Sequence, residues 1–249
     1  MYQYQPPKRR GGRKALIWIL SILVLLVALD FGAKAFAESE AATQIQKQGF
    51  PKKPNVSIAG FPFLTQVITR SFHQITISSS NIPVGAVGPV KIKITSLDVV
   101  AQNVHLNSNF QSGTASPLHG TVLISLGEIG GILSAVAGIL GGGSGGGSVG
   151  SLKIVSVGSS ELKGSGSFNL PGFNGSGSAV WKVMPAGPNE IDLHLVRSSS
   201  GLSSVRSHIA DIKLPLSQLP AGLTLTGKVD TSGKGITAHV FARSLSFGS

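Results

Sequence analysis

Two periods divide the chain. Residues 15–29 are apolar except for Ser21, and such a run predicts a helix surrounded by lipid or core. From Val56 onwards the apolar positions recur every second residue instead. Ile75 and Ile77 alternate with polar neighbours, and Ile92 and Ile94 do the same. Leu97, Val99 and Ala101 follow after a one-residue slip, and Val104 and Leu106 after another. Alternation of this kind predicts strands with one buried face, and a slip inside a long strand predicts a bulge that bends it. The pattern resumes at Ile191, Leu193 and Leu195, at Ile212, Leu214 and Leu216, at Leu223 and Leu225, and at Ile236, Ala238 and Val240; Leu245 and Phe247 repeat the slip. Turn signals at 83–88, 184–189, 220–222 and 230–235 separate these runs. The expected fold is α+β: a long, curled antiparallel β-sheet wrapped around one or two helices and preceded by an N-terminal transmembrane or signal helix.

The middle of the chain breaks the alternation. Ser125 with Glu128 three residues later forms a capping box and predicts a helix over 126–140. Leu126, Ile129, Ile132, Leu133, Val136, Ala137 and Leu140 cover most sides of that helix, so it must be buried against a sheet or lipid. Gly127, Gly130, Gly131 and Gly138 weaken it intrinsically. Residues 141–150 (GGGSGGGSVG) read as a flexible loop, and 165–178 as another Gly/Ser-rich stretch. Residues 38–48 contain good helix formers with a narrow stripe of Ala41, Ala42 and Ile45, so the first helix is expected to run on into them.

Charge orients the chain. Lys8, Arg9, Arg10, Arg13 and Lys14 precede the apolar run, and cations at that place stay cytoplasmic. The expected organisation is a basic cytoplasmic tail at 1–14, an anchor or signal peptide at 15–37 and an extracytoplasmic domain at 38–249. Residues 15–29 extend about 22 Å as a helix, short of a hydrocarbon core of about 30 Å. Continuing to Ala37 supplies the length but takes in Asp30 and Lys34, which reach an interface only near the helix end. The Ala33-Lys34-Ala35-Phe36-Ala37 stretch also fits a signal-peptidase site, so a retained single span and export after cleavage near Ala37 both stand. The chain has 249 residues, no cysteine and a formal charge of +11, much of it in the tail. Disulfide and thiolate chemistry are thereby excluded. The remaining basic surplus suits anionic lipid head groups better than nucleic acid.

Catalytic signatures fail on inspection. Gly142-Gly143-Ser144-Gly145-Gly146 matches a nucleophile elbow in letters but lacks its strand-turn-helix setting. Gly222 to Lys228 starts like a phosphate loop, yet Val229 stands where a magnesium-binding hydroxyl belongs. His73, His105, His119, His194, His208 and His239 are scattered as surface strand positions are, and Glu190 with Asp192 reads as a solvated edge. No catalytic residue, metal or cofactor is expected, and the protein is not read as an enzyme. The unusual local motif is apolar: Gly60-Phe61-Pro62-Phe63-Leu64-Thr65-Gln66-Val67-Ile68. Pro62 forces Phe61 out of helix, and a helical turn follows. Phe61, Phe63, Leu64, Val67, Ile68 and Phe72 are candidates either for a plug of the core at the end of a sheet or for an apolar lip that meets acyl chains or a bilayer surface, and Ile132, Leu133 and Val136 for an apolar lining. Lys52, Lys53 and Arg70 are the head-group candidates.

These features together resemble the LmeA-like phospholipid-binding family of bacterial envelope proteins. The resemblance rests on the basic N-terminus and apolar run, Ala41 and Ala42, the block from Val56 to Gln66 and the order of Pro215-Leu216, Leu219-Pro220-Ala221-Gly222-Leu223 and Gly235-Ile236. It implies phospholipid binding outside the cytoplasm, on a curled sheet around a helix similar to half of a tubular lipid-binding protein. It supplies no catalytic residues. The Gly-rich helix and the 141–150 insertion depart from it. The function expected is a membrane-tethered phospholipid-binding protein that handles or transfers envelope lipids through an apolar groove, with phospholipid, anionic by preference, and membrane as partners; the alternative is a structural or adhesive β-rich envelope protein without a ligand.

Overall fold

The computed structural model describes residues 12–47, 50–87, 90–140, 148–150, 152–170, 173–199, 211–216, 219 and 223–248. The first element, α1 (Gly12–Lys47), is a single helix of 36 residues, about 54 Å long. The apolar run and the 38–48 segment are therefore one rod, as the absence of a breaker between them requires. Its apolar outer half is exposed on all sides, whereas Asp30, Ala33, Ala37 and Ala42 face the rest of the protein.

The strands form two open antiparallel sheets. The first contains β1 (Asn55–Ala59), β2 (Ser71–Val87), β3 (Val90–Leu106), β5 (Leu118–Ser125), β13 (Gly235–Ala242) and β12 (Thr224–Ser232) in that spatial order. The short β4 (Gly113–Ala115) pairs with both β3 and β14 (Leu245–Phe247) at its side. The second sheet runs β11 (Asp211–Pro215), β10 (Glu190–Ser198), β9 (Phe173–Gly187), β8 (Glu161–Leu170), with β6 (Ser148–Val149) and β7 (Lys153–Val157) both paired to β8. The remaining helices are α2 (Phe63–Thr69) and α3 (Leu126–Leu140).

The two slips in the hydrophobic period correspond to two left-handed asparagines. Asn81 (φ 56°) interrupts the β2–β3 pairing between Ser80↔Ser96 and Ile82↔Ile94, and Asn103 (φ 45°) interrupts it between Phe72↔Val104 and Gln74↔Gln102. The register is the same on both sides of each, so the bulges expected at the slips are not there, although Ile94 and Leu97, three apart, are both buried. Two further expectations need correction. Residues 83–87 are part of β2, paired up to Val87↔Val90 with a bulge between Pro83 and Gly85. The proline and glycine there mark a bend, and Gly85 lets β11 cross β2 closely: a Cβ on it would lie 2.6 Å from the Pro215 carbonyl oxygen. Residues 165–170 and 173–178 of the Gly/Ser stretch are also strand, with Ser165↔Ser178, Gly166↔Gly177 and Ser167↔Ser176 in register. Continuous backbone pairing between β8 and β9 outweighs the low strand propensity of those residues. The turn expected at 220–222 and residues 141–147 of the Gly-rich run lie outside the described residues.

The sheets are joined at an edge. Thr231 on β12 donates its backbone N–H to the Ser159 carbonyl (2.8 Å), and its hydroxyl lies 3.2 Å from the Gly158 carbonyl and 3.3 Å from that of Glu161. Leu225 N–H donates to the Pro188 carbonyl (2.7 Å), so the same strand is held at its other end. Between the sheets lies one continuous apolar core that includes Ile92, Ile94 and Val122 from the first, Leu162, Leu193 and Leu214 from the second, and Ile129 and Ile132 from α3.

Candidate functional site

Two features combine apolar surface with an unusual local structure: the joint between α1 and α2, and the seat of α3. At the joint, Asp30 is only 4% exposed although it lies in an apolar helix. Its two carboxylate oxygens accept the backbone N–H groups of Phe63 (2.8 Å) and Leu64 (2.7 Å). These are orphan donors at the start of α2, whose preceding residue, Pro62, provides no side-chain cap. An acid from a distant helix thus caps α2 and lies at the positive end of its dipole. The same contact brings the rings of Phe31 and Phe61 into a stack at 6.2 Å. Further along α1, Glu38 accepts Ile58 N–H (2.7 Å) and Ser39 accepts a hydrogen bond from Lys53 Nζ (2.9 Å). The rod is held at three levels, which fixes its direction relative to the sheets.

Gly60, at φ 106°, starts the turn into α2, and the Phe61–Pro62 peptide is cis. A Cβ at Gly60 would lie 2.6 Å from Gln66 Nε2, so glycine there leaves room for the buried Gln66 side chain. That amide accepts His73 N–H at 3.3 Å, while its nitrogen is buried without a partner. Gln66 lines a hollow of about 250 Å³ with Gly60, Phe61, Pro62, Thr65, Thr69, Ser71 and His73. Its lining mixes the apolar Phe61 and Pro62 with the hydroxyls of Thr65, Thr69 and Ser71, unlike a greasy channel.

The lip candidates divide into two sets. Phe63 and Phe72 point into the core with ring centroids 6.2 Å apart, and Val67 packs partly behind them. Phe61, Leu64 and Ile68 point away from it, and Ile68 is 78% exposed. Arg70 terminates α2 in a left-handed conformation (φ 53°) beside the exposed set. Lys53 is tied to Ser39, farther along α1, and Lys52 is exposed. The structure therefore does not gather Lys52, Lys53 and Arg70 into one cationic cluster.

α3 begins as the sequence requires. Ser125 Oγ accepts Glu128 N–H (3.3 Å), while Ser125 N–H turns to Thr95 Oγ1 (2.9 Å), so Thr95 does part of the work expected of Glu128. The helix packs on β3, β5 and β13 of the first sheet and on β6 and β7 of the second. Ile129, Ile132 and Leu133 are buried between them, with Val136 partly so. The buried side chains of this helix belong to the packed core, and neither the hollow at Gln66 nor a second one beside Lys163 and Val180 is lined by them. Gly127, Gly130 and Gly131 are not there for close packing. A Cβ on Gly131 meets nothing within 4 Å, one on Gly127 only Ser125 Oγ at 3.9 Å, and one on Gly130 makes an ordinary contact at 3.5 Å with Ile154.

Away from both features, Asp192, His194 and Asp211 bring donor atoms within 4.8 Å of one another on β10 and β11. His194 Nδ1 and Asp211 Oδ1 are 2.5 Å apart. Burial pushes the Asp192 carboxyl up from its ordinary range; Asp211 and Glu190 push the same way, and His194 and Lys213 oppose them. The cluster sits at an exposed edge, remote from α2 and α3, and His208 lies outside the described residues. Sequence reasoning missed Asp30 as a structural residue and Gln66 as a buried amide. A lone acid in an apolar helix is a signal for the first; nothing short of the fold points to the second.

A protein-family model described as LmeA-like phospholipid-binding matches residues 28–241, most of the chain, beginning within α1 two residues before Asp30. No curated protein and no solved structure matches it.

Proposed function

The chain belongs to the LmeA-like phospholipid-binding family, and from that premise we propose that it is a tethered module on the outer face of the cell membrane, taking phospholipid acyl chains between its two sheets as α3 gives way. The observation that carries this reading is the seat of α3: an apolar helix wedged between two apolar sheet faces, weakened by glycines that no neighbour demands. Glycine in a helix interior costs about 1 kcal/mol relative to alanine. A helix retained only as core has no use for that cost. A helix that must unravel into an adjoining Gly/Ser run does. An acyl chain drawn from a bilayer passes from one hydrocarbon environment to another, so what it supplies is cover for the sheet faces that α3 vacates, about 0.8 kcal/mol for each CH₂-sized area kept from water. The tether follows from the apolar half of α1, which leaves Ile17, Leu20, Val24 and their neighbours exposed unless lipid covers them. The basic tail orients it, and the mild positive charge of the outer part, with Arg70 beside α2, favours anionic head groups.

The test is phospholipid uptake by the full-length chain from vesicles of phosphatidylglycerol and phosphatidylcholine carrying an acyl-labelled lipid. Gly127→Ala with Gly131→Ala adds no steric contact and is expected to stabilise α3 by about 1–2 kcal/mol. Uptake should then slow by roughly fivefold or more, since each 1.4 kcal/mol is tenfold in the opening equilibrium. Unchanged uptake would remove the unravelling step. The packed interior also favours a second reading, a structural envelope module without a ligand. That reading expects no uptake by either form.

A further inference from the structure

We propose that α2, together with the Phe31 turn of α1, is a foot that rests within the acyl region of the outer leaflet. The inference deepens the tethered reading above and rests on it.

The argument is one of length. The cations that end at Lys14 place the inner boundary of the span at Ala15. A hydrocarbon core of about 30 Å takes about 20 helical residues, which extends to Lys34. Asp30 then lies roughly 6 Å inside the outer boundary. An open carboxylate at that depth is costly. This one is closed off: it is 4% exposed, and both oxygens are occupied by backbone N–H groups of α2. The element that shields Asp30 shares its depth, so α2 is there too.

The surface of α2 fits that position. The segment FLTQVIT carries no charge. Its outward side chains include Leu64 and Ile68, with Phe61 before them and Phe31 stacked on Phe61, and all four are exposed in the absence of lipid. The exposed hydroxyls are satisfied within the helix. Thr65 Oγ1 donates to the Pro62 carbonyl (2.7 Å), and Thr69 Oγ1 to the Thr65 carbonyl (2.9 Å). These two exposed hydroxyls therefore need no water, which eases the entry of this face of α2 into hydrocarbon. Arg70 follows at the helix end, where its guanidinium reaches the phosphate level. The apolar face is continuous with the span itself, so its occupant is the same bilayer. On the inner side of α2, Phe63 joins the core cluster. The foot therefore connects leaflet to protein interior at the depth of the acyl chains.

The experiment uses the full-length chain in phosphatidylglycerol/phosphatidylcholine vesicles. The protein has no cysteine, so single cysteines at Leu23→Cys, Ile68→Cys and Glu40→Cys can each carry one environment-sensitive fluorophore. All three positions are exposed in the structure. The Leu23 and Ile68 probes should be quenched by acyl-chain spin labels. Their quenching by aqueous iodide should be roughly tenfold weaker than at Glu40, because a charged quencher is kept out of hydrocarbon. A protected Leu23 probe with an Ile68 probe as open to iodide as Glu40 overturns the foot and leaves the tether standing. An unprotected Leu23 probe overturns the tether, and the foot with it.

Discussion

Cysteines placed at Gly130 and Ile154 should lock the protein against lipid. A Cβ at residue 130 lies 3.5 Å from Ile154 Cγ1, so the two Cβ atoms fall near the range a disulfide bridges, about 3.5–4.5 Å. The native chain offers no competing thiol. The bridge ties α3 to β7 and leaves both sheets free. If acyl chains enter where α3 now sits, the oxidised variant should take up phospholipid at least roughly tenfold more slowly than the reduced one, because the opening equilibrium is shut. Reductant should restore uptake. The comparison is within one variant, so the volume lost on replacing Ile154, which is 8% exposed, affects both arms alike. Equal uptake in both states would place the route elsewhere.

Replacing Asp30 by alanine should release the α1–α2 joint. The substitution removes one acceptor group and strands two N–H donors, those of Phe63 and Leu64, in a site closed to water. Hydrogen bonds to a charged group are worth about 1.5–3 kcal/mol each, and part of that loss is recovered when α2 shifts and its N-terminal N–H groups find other acceptors. A net cost of about 2–4 kcal/mol is expected, a large share of a domain stability of about 5–15 kcal/mol. Amide exchange in residues 61–69 should rise sharply, and the melting temperature should fall. Asp30→Asn, which keeps one oxygen as acceptor, should lie between alanine and the native chain. Unchanged exchange around α2 in the alanine variant would mean that the cap contributes nothing.

The sequence disclosed the local half of this architecture. The limits of α3 were readable because Ser125 and Glu128 mark its start and the alternation stops there. The slips in phase along β3 were readable, and the left-handed Asn81 and Asn103 lie in the paired strands there, but the bulge between Pro83 and Gly85 was not foreseen. What alternation cannot supply is the partner. It says that Ile191 and Ile236 are buried, but not that they lie in different sheets. It also could not foresee that 165–170 and 173–178, rich in glycine and serine, would be drawn into strands by pairing with each other. The candidate site was legible to the same degree. The block from Phe61 to Ile68 was recognisable as unusual. Its division into Phe63, turned inwards, and Phe61, Leu64 and Ile68, turned outwards, depends on Asp30, some thirty positions earlier in the chain. Ile132, Leu133 and Val136 were identified as apolar, but whether they line a groove or fill it is decided by how closely two non-local sheets approach.

That question has a direct measurement. Vesicles containing a phospholipid with a photoreactive group midway along one acyl chain are mixed with the full-length protein, irradiated, and the adducts mapped by peptide mass spectrometry. The account predicts labelling of Ile129, Ile132 or Leu133 and of the core residues on β3, β5 and β13 that face them. Adducts confined to α1 and the exposed residues of α2, with the interior unlabelled, would contradict it.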